Sequence, residues 1–144
     1  MDRTLAIIKP DAVARGLVGR ILAHLEGEGF RIRALHMMRL TEAQARAFYA
    51  VHRERPFYGS LVQFMVSGPV VPVLLERENA VAALRDVIGA TDPAEARPGT
   101  IRALYAESKE RNAIHASDAP ETARNEIAFF FAATDVPAVD GEST

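Results

Sequence analysis

Short strand-like runs and segments of helical period alternate along this chain, and that order restricts its fold more than any other feature. "TLAIIKP" gathers Leu5, Ala6, Ile7 and Ile8 into an apolar run closed by proline, a buried strand whose end delivers Lys9 to a surface. Val18, Ile21, Leu22 and Leu25 recur at helical spacing between Leu17 and Glu28, with Gly29 as the stop. "FRIRALHMMRL" alternates Phe30, Ile32 and Ala34 against Arg31, Arg33 and Leu35, a half-buried strand fading toward Leu40. Thr41 and Gln44 form a capping box for a helix to about Tyr49, and a second short helix is expected from Ser60 to Val66. "SGPVVPVLLE" predicts a third strand, which Pro72 assigns to a sheet edge or a bulge. Asn79 to Ile88 predicts a helix ended by Gly89, and Ala90 to about Tyr105 a long loop of turn residues. "NAIHA" is a brief last strand, followed by a helix opened by Asp118, Pro120 and Glu121. The order predicts a split βαβ arrangement: a mainly antiparallel sheet covered by helices.

At 144 residues the chain has the length of one domain, expected over residues 1–136 with a flexible tail over 137–144. A net charge of -2 argues against broad affinity for nucleic acid or anionic membranes. The absence of cysteine excludes disulfides, thiolate metal sites and cysteine nucleophiles, and fits a reducing compartment. The first apolar run is too short for a signal peptide or a membrane span, so a cytoplasmic location is expected.

No Gly-rich phosphate loop, dinucleotide-binding glycine fingerprint or HExxH motif is present, so any phosphate chemistry uses another device. Of the four histidines, His24 is expected to be solvated on its helix, His36 a half-buried filler in a strand and His52 a surface residue. His115 differs. A histidine on a short strand projects at a fixed angle, and Glu126 on the next helix can engage one ring nitrogen, leaving the other free. Neutral imidazole attacks phosphorus without a separate strong base, and Lys9, Arg85 and Arg102 are the cations available to stabilise phosphoryl charge. By frequency alone each of these cations is a solvated charge or a surface ion pair, and Asp11 and Asp118 are helix or turn caps.

Taken together, "IIKPDAVARGLVG", "FYAVHRERPFYGSLVQFMVSGPVV", "ATDP", "PGTIR" and "RNAIHASDAPETARNEIAFFF" resemble nucleoside diphosphate kinases, in family order from Arg3 to about Phe131. The resemblance implies a ferredoxin-like α/β sandwich of the α+β class. It implies ping-pong transfer of a γ-phosphoryl group from a nucleoside triphosphate to a nucleoside diphosphate, maintaining triphosphate pools. On this resemblance His115 is the phosphorylated nucleophile, with Glu126 and Ser117 behind it and Tyr49 beside it. Lys9 and Asn112 serve the ribose hydroxyls and the transferred phosphate. Arg85, Thr91 and Arg102 bind phosphates, and Phe57 is the platform under the base.

The resemblance also implies Mg2+ held mainly by the nucleotide phosphates, with no protein metal cage. Asp118 is then either within reach of a metal-bound water or a helix cap. It implies self-association into tetramers or hexamers built from dimers, with no obligate nucleic acid or membrane partner. Two positions depart from the family pattern. Ala116 stands where glycine is usual after the histidine, and Lys109 replaces an aliphatic residue expected against the opposite face of the base. A nonenzymatic ligand-binding module and a nucleic-acid-binding sheet are the rival readings. The first is disfavoured by the joint presence of the site residues, the second by the net charge and the lack of an RNP-like aromatic motif.

Overall fold

The computed structural model describes residues 2–138. Four strands form one antiparallel sheet: β1 (Asp2–Ile8), β2 (Arg31–Leu35), β3 (Val71–Arg77) and β4 (Ile114–Ala116), in the order β2-β3-β1-β4. The helices are α1 (Pro10–Ala14), α2 (Val18–Gly27), α3 (Glu42–Phe48), α4 (Tyr58–Met65), α5 (Ala80–Ile88), α6 (Ile101–Tyr105) and α7 (Pro120–Phe130). No helix among the described residues is long and apolar enough to cross a membrane.

Because β1 is central and covered on both sides, every residue from Thr4 to Ile8 is buried, which is why its sequence shows a continuous run instead of alternation. Ala6 and Ile8 join Val71, Val73 and Leu75 on one face, sealed by Ile21 and Leu25 of α2 and Leu84 and Ile88 of α5. Leu5 and Ile7 join Leu74 on the other, sealed by Ala45 of α3, Val62 and Met65 of α4, and Phe130 of α7. Each fully buried leucine or isoleucine stabilises the fold by roughly 1.5–3 kcal/mol relative to exposure. This is the expected sandwich.

Four expectations need correction. Pro72 does not mark an edge, since β3 is an inner strand and Pro72 pairs with Ile7 of β1. Its carbonyl accepts from His36 N–H, so its missing N–H faces the same way, just past Leu35 where β2 has ended, and no ladder bond is lost. Arg33 does not alternate outward. The pairing shifts between Ile32 and Ala34, and the extra residue turns its guanidinium onto Glu76 at 2.9 Å. The 90–105 stretch is not all loop, because Thr100 caps Ala103 N–H and starts α6. The helix expected between Leu17 and Glu28 is preceded by a separate short helix, α1, which has Pro10 in its first turn.

Gly89 carries a site-related constraint. Its φ is +87°, and a β-carbon there would collide with Thr100 Oγ1, so only glycine lets the end of α5 meet the start of α6. At the other end of the chain, Val136 packs on the second core and Pro137 accepts a bond from Arg33 at 3.0 Å. The tail expected over 137–144 therefore begins docked, and residues 139–144 lie outside the described residues.

Candidate active site

Pairing of β4 with β1 sets His115 opposite Ile7, and side-chain alternation carries it to the face of the second core, while Ile114 and Ala116 enter the first. Helix α7 then brings Glu126 to the ring. Glu126 Oε1 lies 2.8 Å from His115 Nε2 and accepts the Ser117 hydroxyl at 2.7 Å. An ionised carboxylate only accepts, so in the neutral ring this bond selects the tautomer with its proton on Nε2 and the lone pair on Nδ1. The two side chains are 19% and 15% exposed, sheltered yet open to a ligand. Ala116 lies within β4, an extended backbone that needs no glycine.

Two aromatic rings from the end of α3 confine the imidazole. Phe48 stands 5.4 Å away at 71° and Tyr49 6.1 Å away at 89°. Phe48 was not legible in the sequence, where Tyr49 carried the recognisable chemistry; its one signal was adjacency in "AFY". The Tyr49 hydroxyl is buried with no hydrogen-bond partner. Burial, reinforced by the Glu126 charge, raises its pKa far beyond the ordinary range, so it stays protonated and remains a donor.

Just before β4 the backbone is strained. Ala113 has φ +75°, and Ile114 N–H donates to Asn112 O at 2.9 Å, closing a three-residue turn of a kind rare for residues with a β-carbon. The corner between β1 and α1 holds this turn: Lys9 N–H donates to Ala113 O at 2.9 Å, and Ala113 N–H donates to Asp11 Oδ2 at 3.1 Å. Asp11 is therefore no local cap; it reaches a residue far along the chain. Asn112, buried by the same turn, accepts from Lys9 Nζ at 2.8 Å and donates to Thr91 O at 3.3 Å.

The arginines anchor to β4 itself. Arg102 Nη2 donates to Ile114 O at 2.7 Å and Arg85 Nη1 to Ala116 O at 3.2 Å, the two carbonyls that flank His115. Arg102 Nη1 also donates to Gly89 O at 3.1 Å. The expectation of solvated cations fails for two of the three, since Lys9 is 8% and Arg102 5% exposed. Burial, then the Arg102 charge, lowers the Lys9 pKa to about 8, against an opposing influence of Asp11. Burial, then the Arg85 charge, lowers that of Arg102 to about 10. Beside them opens a cavity of about 320 Å3 lined by Arg85, Asp86, Gly89, Thr91 and Arg97. Arg97 is a cation that the sequence reading did not single out.

Other expected residues stand apart from the histidine. Phe57 is 46% exposed at the head of α4, with the His52 ring 5.5 Å away. Lys109 is exposed at the tip of a loop closed by Arg111 N–H donating to Ser108 Oγ at 3.1 Å. Arg111 itself lies 5.6 Å over the Phe64 ring of α4, so the loop rests beside the helix that Phe57 begins. Asp118 is exposed and does not cap α7, whose cap position is Ala119. His24 lines a separate cavity with Asp86 and Arg97, and His36 is exposed beyond β2 against Phe131 instead of half-buried within the strand. Among the described residues, no group of three or more His, Asp or Glu side chains is placed to hold a metal ion.

The sequence model of the family described as nucleoside diphosphate kinase matches residues 2–136. The nucleoside diphosphate kinase of Chlorobaculum parvum is 59% identical over 140 residues, 97% of this chain and 100% of the relative. The Aquifex aeolicus nucleoside diphosphate kinase structure superposes with a TM-score of 0.92 at 51% identity, covering 94% of this chain and 99% of its own. A halophilic nucleoside diphosphate kinase from Halobacterium salinarum in complex with CDP also superposes at 0.92, with 39% identity over 96% of this chain and 93% of its own. This chain therefore belongs to the nucleoside diphosphate kinase family, enzymes that move the γ-phosphoryl group of a nucleoside triphosphate onto a nucleoside diphosphate.

Proposed function

We propose that the phosphoryl group passes through Nδ1 of His115. The observation that carries this reading is the bond between His115 Nε2 and Glu126, which leaves Nδ1 as the nitrogen with a lone pair. That pair attacks the γ-phosphorus. The bond from phosphorus to the bridging oxygen breaks, and its electrons leave with the nucleoside diphosphate. Charge that develops on the imidazolium is balanced by Glu126, held in place by Ser117. A second nucleoside diphosphate then takes the phosphoryl group by the reverse path. No external base is needed.

Arg85, Arg102 and Thr91 bind the phosphates, Lys9 and Asn112 serve the ribose hydroxyls and the transferred phosphate, and the positive charge gathered around β4 stabilises the transferring group. Tyr49 supplies a hydroxyl donor beside the ring. Phe57 carries the base by stacking, which accepts purines and pyrimidines alike, and the methylene stem of Lys109 closes the slot opposite. Magnesium is the metal proposed. Mg2+ prefers phosphate oxygens and water, so the nucleotide phosphates would hold it, and when bound it would neutralise charge on them. The exposed Asp118 is available to a water of that ion.

The catalytic unit proposed is one domain over residues 1–136, acting in the cytoplasm, in keeping with a chain that has no cysteine. It is proposed to self-associate into dimers and then tetramers or hexamers. Leu35 and Met37 support this, being large apolar side chains exposed at and just beyond the edge strand β2. Incubation with γ-labelled ATP and magnesium tests the chemistry: an acid-labile label is expected on the protein and none on His115→Ala. Label that persists in that variant removes the reading.

A further inference from the structure

We propose that Asp11 is a positioning residue for phosphoryl transfer: its buried carboxylate holds the strained turn at Ala113 closed and so fixes Asn112 and His115 against Lys9. This rests on His115 as the phosphoryl carrier. Three observations converge on it. Asp11 is 1% exposed, so its carboxylate is out of water, and its Oδ2 accepts the Ala113 amide at 3.1 Å across 102 residues of sequence. Ala113 has φ +75°, a conformation that its β-carbon resists and that persists only where surrounding structure enforces it. Both backbone groups of Ala113 are held by the same corner of the chain, the amide by Asp11 and the carbonyl by Lys9 N–H at 2.9 Å.

Relaxation of this turn would swing Asn112 and the start of β4 together. Asn112 is the residue that receives Lys9 Nζ, and His115 follows three positions on, so a rotation at Ala113 displaces the nucleophile relative to the cations. Asp11 Oδ1 is buried with no hydrogen-bond partner, an unfavourable placement for a carboxylate. It is retained where its other oxygen does a specific job. A role confined to stabilising α1 would not need the bond to Ala113.

A double-mutant cycle on the full chain separates the two roles. Asp11→Asn keeps the shape and replaces a charge-assisted bond with a neutral one, so single-turnover phosphoenzyme formation from ATP and magnesium should slow by roughly tenfold. KM for the nucleoside diphosphate should change by less than about threefold, because a displaced nucleophile affects the chemical step more than binding. Ala113→Gly adopts the turn without strain, so alone it should cost no more than about twofold, and in the Asp11→Asn background it should restore most of the lost rate. Asp11→Ala should show a larger loss with the same rescue. If that variant does not fold, the asparagine cycle decides.

Equal effects of Ala113→Gly in both backgrounds, or an Asp11→Asn rate within about twofold of the parent, overturn the proposal, since independent sites add. Failure of the parent protein to form a phosphohistidine would instead defeat the functional reading beneath it.

Discussion

The two ends of strand β1 treat buried charge in opposite ways. At the Arg3 end, Glu76 lies between two guanidiniums, 3.1 Å from Arg3 and 2.9 Å from Arg33, so opposite charges meet. At the Lys9 end, Lys9 and Arg102 are bonded to an amide oxygen and to carbonyls, and each feels another cation. The first arrangement is a structural lock between β1, β2 and β3. The second leaves positive charge out of water and under repulsion from neighbouring cations, offset at Lys9 only in part by Asp11. On the proposed function, burial that weakens the empty protein would strengthen its grip on a polyphosphate.

Arg102→Gln should break the cationic end most severely. Loss of one preorganised charge at a phosphoryl-transfer site typically lowers kcat by about 10²–10³, and steady-state kinetics should show that loss with little fall in melting temperature. Glu76→Gln is the counterpart at the other end. Removing the carboxylate that faces Arg33 and Arg3 should cost on the order of 3 kcal/mol in urea unfolding while the folded fraction keeps its turnover. An activity loss in the second variant without destabilisation would erase the contrast.

A pH series sharpens it. Lys9 titrates at about 8 in the folded chain, so kcat/KM should decline as pH rises through that value, by up to about tenfold per unit. Stability runs the other way. The unfolded chain keeps lysine near its ordinary value of 10.5, so between about 8 and 10.5 the unfolded state holds the extra proton and the Lys9 contribution to stability increases with pH. The profile of kcat should lack the limb, because bound phosphate pulls the Lys9 pKa back up. The smallest effect concerns ligand: a nucleoside diphosphate at ten times its Kd should raise stability by about 1.4 kcal/mol, a shift of a few degrees by calorimetry. Arg102→Gln should lose most of that shift at the same concentration, whereas Glu76→Gln should keep it.

The same contrast shows what a sequence makes legible. The apolar run of β1, the helical spacing of α2 and α5, and the capping box of α3 each follow from periods and caps that packing did not override. Helices α1 and α6, at five residues each, are too short to show a period. The inward turn of Arg33 depends on a one-residue shift of register, which moves a side chain across the sheet without any mark in composition. Pro72 misled because the direction its missing N–H faces is a matter of tertiary arrangement. In the site, the histidine and its glutamate are legible from strand-then-helix order, Lys9, Arg85 and Arg102 as the cations phosphoryl chemistry would need, and the joint presence of the family motifs supplies Tyr49, Phe57, Thr91, Asn112 and Ser117. The burial of Lys9 and Arg102, the reach of Asp11 to Ala113 and the Phe48 wall are not legible, because each arises from chain segments brought together only by the fold.

The nitrogen that carries phosphorus is the most direct test of the account. Phosphoenzyme prepared with ATP and magnesium on 15N-histidine-labelled protein should show, by 31P and 15N NMR, phosphorus bonded to Nδ1 of His115 and a protonated Nε2. Phosphorus on Nε2, or a phosphoenzyme that survives in His115→Ala, would contradict it.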